Sequence, residues 1–213
     1  VALFALGQFH RAAGAVAAPL WTTDFGLTSE ELGTVIGVIF LATLLAQAPI
    51  GAALDRFGPR AVLTFTIALV AAGTYACLWA SGYGSLLIAR IAIGVGLAST
   101  GVGMYLLLAR NFPSDQFGFL NGLMVTLGGI GGLAATYPLA ALVEAQGWRA
   151  VFAGLSVGTF VLALAVFLAT RPGSDDTPTE DAPVPLAQLL RTPGFLPVLA
   201  MSVGTYAPIV TIT

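Results

Sequence analysis

GAALDRFGPRAVL, residues 51–63, decides how the rest of the chain is read. Three full charges, Asp55, Arg56 and Arg60, fall within six residues, and an apolar run long enough to cross a bilayer lies on either side. About 20 apolar residues span the roughly 30 Å of hydrocarbon, and such a knot of charge has no place inside it. The stretch is therefore predicted to be a short turn at a membrane surface joining two spanning helices. Its arginines choose the surface, because short loops rich in Arg or Lys stay on the cytoplasmic side.

Composition agrees. Of 213 residues, 57% are apolar and only 8% charged, against about a quarter charged in soluble domains; the mean hydropathy is +0.93. These values exclude a soluble enzyme. All eight basic residues are Arg, and the net charge of −2 gives no pointer to nucleic acid. Cys77 is the one cysteine, so there is no disulfide framework and no cysteine metal site. No nucleophile–base grouping, phosphate loop or metal-ligand spacing appears, so neither catalysis nor a cofactor is expected. Twenty-six glycines point instead to helices whose backbones touch.

Working outward from the charged turn, the charge-free run 32–54 is span two, started by a capping box of Thr28 and Glu31. Before it come the acidic loop 21–31 and span one, 1–21, with the polar trio Gln8, His10 and Arg11. After the turn follow span three (61–80), a reversal at 81–84, and span four (85–109), whose single charge is Arg90. A second charged turn, 110–115, leads to the glycine-dense span five (116–143), which carries Pro138, and the turn 144–149 leads to span six (150–170). Asp24, Glu30, Glu31 and Glu144 share the outer surface and are expected to be solvated.

Residues 171–191 are proline-rich and acidic in the middle, the composition of a flexible linker. An apolar segment from 195 to 213 begins a seventh span. The expected domains are a six-helix bundle (1–170), a linker (171–191) and the start of a second bundle (192–213). Arg56, Arg60, Arg110, Arg171 and Arg191 fall on one side, Arg149 on the other, and Arg11 and Arg90 within spans. This bias predicts a multi-pass protein of the cytoplasmic (inner) membrane with a cytoplasmic linker. Val1 is not a start methionine and residue 213 lies in an apolar run, so a piece of a longer polytopic protein is expected.

Gly51, Asp55, Arg56, Gly58 and Arg60 stand at every fixed position of a G-x-x-x-D-R-x-G-x-R pattern. With Arg90 followed by Gly94 and Gly96 in span four, and Gly147-Trp148-Arg149 opening span six, the chain resembles the major facilitator superfamily. Position 59 departs from the usual pattern in being proline. The resemblance implies an all-α membrane protein: a six-helix bundle of two inverted three-helix repeats, plus part of a seventh helix. It also implies alternating access, with the solute site between this bundle and the C-terminal half of the same transporter. Asp55 would latch the cytoplasmic side against that half, with Gly51, Arg56, Gly58, Arg60 and Asp115 completing the gate.

Arg11 lies mid-span, where an unpaired charge costs about 2.5–3.5 kcal/mol or more. It is expected to face a wet passage, with Gln8 one turn away able to hold it or share a ligand. Arg90 either lines the cavity or reaches back to the surface, and His10 is either a proton site or a hydrogen-bonding residue. Two embedded arginines and no embedded acid in spans one to six suggest that the substrate-binding set, Arg11, Gln8, His10 and Arg90, takes a small anion with protons as the coupling ion. The rivals are a proton-driven drug efflux antiporter and a non-transporting sensor or scaffold on the same fold.

Overall fold

The computed structural model of the chain describes residues 2–169, and every regular element among them is α-helical. The elements are α1 (Ala2–Phe25), α2 (Ser29–Leu78), α3 (Tyr83–Asn111), α4 (Ser114–Ala134), α5 (Tyr137–Gln146) and α6 (Trp148–Ala169). The linker 171–191, the segment 192–213 with its seventh span, and the side chain of Arg110 lie outside what is described.

Four stretches are long and apolar enough to cross a membrane: Ser29–Leu78, Tyr83–Leu106, Ser114–Gln146 and Trp148–Leu168. Their outward surfaces carry Leu44, Leu45, Phe65, Ile88, Phe119 and Phe160, all exposed. Soluble proteins do not present this much continuous apolar area to water. The chain is a multi-pass membrane protein.

As one straight rod, the 50 residues of α2 would measure about 75 Å. The chain instead reverses at Gly58, where φ is 75° and ψ is 161°. That region is essentially closed to residues with a Cβ. Pro59 follows as the first residue of the second limb, where its missing N–H costs nothing, which accounts for proline at this position. Packing proves the reversal. A methyl on Gly94 of α3 would lie 2.7 Å from Ile39 O in the first limb, and one on Gly96 would lie 2.6 Å from Thr66 O in the second. Both limbs therefore lie along the same turn of α3, with their backbones nearly touching it.

Hydroxyls tie the same three rods together. Thr43 Oγ1 lies 2.7 Å from Ile39 O and 2.9 Å from Gly94 O, one hydroxyl hydrogen shared between the two carbonyls, and the Thr66 and Ser99 hydroxyls are 2.6 Å apart. Ser156 Oγ donates to Ala71 O at 2.9 Å, bringing in α6. Such bonds add specificity where no hydrophobic effect separates helix from lipid.

The span predicted at 116–143 is two helices. α4 packs on α1, where a methyl on Gly128 would strike the Phe4 ring and one on Gly131 the Ala5 backbone. The helix then breaks at Ala135 and Thr136, and α5 restarts with Pro138 in its first turn. Proline has no N–H to continue α4 but suits a helix start, so the break precedes it. α1 runs four residues past the predicted end at Trp21 and stops at Gly26, whose φ is 63°. The predicted Thr28–Glu31 capping box is present, with Glu31 N donating to Thr28 Oγ1 at 3.2 Å and Thr28 N to Glu31 Oε2 at 2.9 Å. Two apolar clusters fill the interior, one around Trp21, Ile39 and Phe152 and one around Leu63, Ile67 and Met124.

Candidate functional site

α1 organises the polar interior. Leu3, Gly7, His10 and Gly14 are buried, and Gly7 lies against Thr100 of α3. Phe4, Ala5 and Gln8 turn toward Gly128, Gly131 and Gly132 of α4. At 100° per residue, Arg11 falls between these two rows. It is half-buried, and its Nη1 donates to Gln8 Oε1 at 2.7 Å. No carboxylate among the described residues meets it. Among the described residues no acceptor meets its other N–H groups, which leaves donors for a further one.

His10 is enclosed, with 2% of its surface exposed. Nε2 stands 3.0 Å from Thr159 Oγ1 of α6, and Nδ1 stands 3.5 Å from Thr74 Oγ1 of the second α2 limb.

Arg90 does not reach back to the surface. It is 1% exposed. Nε donates to Val35 O at 3.2 Å, the guanidinium lies 5.6 Å from the Trp21 ring centre, and its tip lies where a side chain on Gly14 would be. Nη2 has no hydrogen-bond partner among the described residues, so both its N–H donors on a buried cation are unspent, an expensive arrangement. Arg11 and Arg90 thus differ in burial, the first half-open and the second sealed.

The charged turn divides its labour. Arg60 donates through Nε and Nη2 to Phe167 O of α6, at 3.2 and 3.0 Å, and stacks 4.4 Å from the Phe167 ring centre. Arg56 lies over Phe57. Asp55 is exposed near the end of the first limb, and neither it nor Asp115 has an ion-pair partner among the described residues. Gly51 is half-buried and has open space where a Cβ would stand. Asp115 sits in the first turn of α4, where a carboxylate favours the helix dipole.

Sequence reading missed the clasp at the opposite end. Asp24, exposed as expected of a solvated acid, also accepts from Trp148 Nε1 at 2.9 Å and Arg149 Nη1 at 2.8 Å. The indole bond chiefly, with the bond and charge of Arg149 added, holds the carboxyl below its ordinary 3.8. Trp148 also makes edge contacts with Trp21, Phe25 and Phe152. The one available signal was an acid, a Trp and an Arg placed at the same end of the bundle by the topology.

The family described as Major Facilitator Superfamily matches residues 1–213. The chain is 30% identical over 162 residues to the uncharacterized transporter YybO of Bacillus subtilis, covering 76% of this chain and 37% of that protein. It is 28% identical over 149 residues to human solute carrier family 2, facilitated glucose transporter member 12, covering 68% and 24%. To the "Probable sulfoacetate transporter SauU" of Cupriavidus necator it is 27% identical over 177 residues, covering 80% and 40%. The chain thus spans from 24% to 40% of the length of these relatives. All-helical and apolar on its outside among the described residues, and matched over residues 1–213, the chain belongs to the Major Facilitator Superfamily.

Proposed function

We propose that this chain is the N-terminal half of a secondary active transporter that moves a small anion by alternating access, coupled to protons. Its six spans are α1, the two limbs of α2, α3, α4 with α5, and α6; the linker 171–191 is cytoplasmic and 192–213 opens the second half. The Arg60 end of the bundle faces the cytoplasm and the Asp24 end faces out, in the cytoplasmic membrane, as the arginine distribution argues.

The observation that carries the substrate class is Arg11: a half-buried guanidinium in mid-helix whose one side-chain bond among the described residues is to Gln8. A cation in that setting needs an acceptor, and a carboxylate, sulfonate or phosphate fits its forked donors. Arg11 and Gln8 would touch the solute, while His10 and Arg90 support them from inside the bundle. One relative's name specifies sulfoacetate, which makes that anion a sensible first probe. At the cytoplasmic end, Asp55 has no ion-pair partner among the described residues, which suits a latch to the C-terminal half. Gly51, Gly58, Arg56, Arg60 and Asp115 would shape and anchor that turn.

The test is counterflow in proteoliposomes holding the full-length transporter, with sulfoacetate and other small organic and inorganic anions beside neutral and cationic solutes. Arg11→Ala is expected to weaken anion uptake by about 10- to 100-fold, the value of about 1.5–3 kcal/mol for a hydrogen bond to a charged group. Unchanged anion uptake by Arg11→Ala, or movement of lipophilic cations alone, would overturn the reading. A scaffold would move no solute at all.

A further inference from the structure

We infer that His10 is a positioning residue. Held as the neutral tautomer with its proton on Nε2, it locks the roll of α1 and so fixes where Arg11 points; the functional weight of that placement rests on Arg11 being the solute contact.

The proton count leads to the tautomer. The Thr159 hydroxyl has one hydrogen, and it goes to Leu155 O at 2.7 Å. The Thr159 oxygen facing His10 Nε2 at 3.0 Å must therefore accept, and Nε2 must carry the hydrogen. The Thr74 hydroxyl likewise gives its hydrogen to Val70 O at 2.8 Å. Its 3.5 Å separation from Nδ1 is too long for a second firm bond. One short bond and one long contact describe a neutral ring with Nδ1 bare.

The mechanical role follows from what surrounds α1. Toward α3 it presents Gly7 and Gly14, and α4 meets it with Gly128 and Gly131. At three of these contacts a side chain fills the glycine gap (Thr100 at Gly7, the Arg90 tip at Gly14, Phe4 at Gly128), and at Gly131 the backbones touch. Steric contacts of this kind set spacing without the directionality of a hydrogen bond. The His10–Thr159 bond is a directional tie between α1 and α6, made at the residue next to Arg11. Binding groups work when held within about 0.5 Å and 10–20°, and a tie beside the guanidinium supplies that restraint.

Two measurements on the full chain in nanodiscs test this. The first is nitrogen NMR with labelled histidine, His10 being assigned by the signal lost in His10→Gln. Across about pH 5–8, the range in which an ordinary histidine titrates, one protonated Nε2 and one bare Nδ1 are expected. A ring protonated on Nδ1, or on both nitrogens, overturns the inference. The second follows labelling of Arg11→Cys, in a Cys77→Ser background, by a charged thiol reagent. Adding His10→Gln, whose amide reaches the Nε2 position, should leave the rate within about twofold, whereas His10→Leu should change it by about fivefold or more, the size of one lost hydrogen bond. Equal rates in the His10→Leu and parent proteins overturn it. Neither measurement uses a solute. Normal anion uptake by Arg11→Ala would therefore strike the substrate reading alone and leave the tautomer and the tie standing.

Discussion

Asp24, at the end of α1, and Trp148, opening α6, are joined by a 2.9 Å bond from indole to carboxylate across 124 positions of sequence. Arg149 Nη1 donates to the same carboxylate oxygen, Oδ2, at 2.8 Å. This pair fastens the first and last described helices at one end of the bundle, as Arg60 and Phe167 fasten the second α2 limb to α6 at the other.

Asp24→Asn should lower the unfolding temperature at neutral pH, because the amide is a poorer acceptor and carries no charge for Arg149. The sign with pH is fixed by the lowered carboxyl value. Stability from the clasp is complete above the ordinary 3.8 and is lost as pH falls through the still lower folded value. Melting curves of the parent and Asp24→Asn, taken from pH 7 downward, should therefore differ at pH 7 and converge in strong acid. A gap that persists or widens on acidification contradicts the clasp.

Gly58→Ala should destabilise by about 1–3 kcal/mol, the cost of a side chain forced into a glycine-only backbone region. Chemical unfolding in mild detergent measures it. Gly51→Ala, seven residues before the strained Gly58 and with open space at its Cβ, should change little.

Glycines that look alike in sequence should separate cleanly. Gly94→Ala and Gly96→Ala drive a methyl into carbonyl oxygens at 2.7 and 2.6 Å and should each cost about 1–3 kcal/mol. Gly122→Ala and Gly129→Ala meet open space and should be neutral, or stabilising by up to about 1 kcal/mol through helix propensity. Thermal unfolding of the four variants in parallel checks both halves of the statement.

Arg90→Met should make the bundle more stable, by about 1–4 kcal/mol, since a flexible apolar chain of similar length replaces a buried cation with unspent donors. Gly14→Ala should do the reverse, because its methyl collides with the guanidinium. A melting temperature lowered by Arg90→Met would mean that Arg90 is paid back by interactions beyond Val35 O and the Trp21 ring.

The reversal at Gly58, the Thr28–Glu31 cap and the membrane character were legible because each depends on neighbours in sequence or on bulk composition. Arg11 and Gln8 were legible as a pair because three residues is one helical turn. What escaped depends on residues far apart in the chain. Thr74 and Thr159 look like ordinary apolar-compatible positions until α2 and α6 bring them to His10. Asp24 looks like a solvated acid until Trp148 arrives. The two fates of Arg11 and Arg90, half-open against sealed, are set by which helix each faces, and periodicity of only a few polar residues does not fix that. The split between α4 and α5 escaped for a local reason: Pro138 marks a helix start there rather than a kink within one.

The three rods of 29–111 follow one another in the chain and pack on one another, so they can assemble as soon as the ribosome has released them. α1 cannot finish. Its tie to Thr159 waits for a helix made about 150 residues later, so α1 precedes those rods in the chain yet takes its final orientation after them. During synthesis the first helix is a loose guest in a bundle already half built.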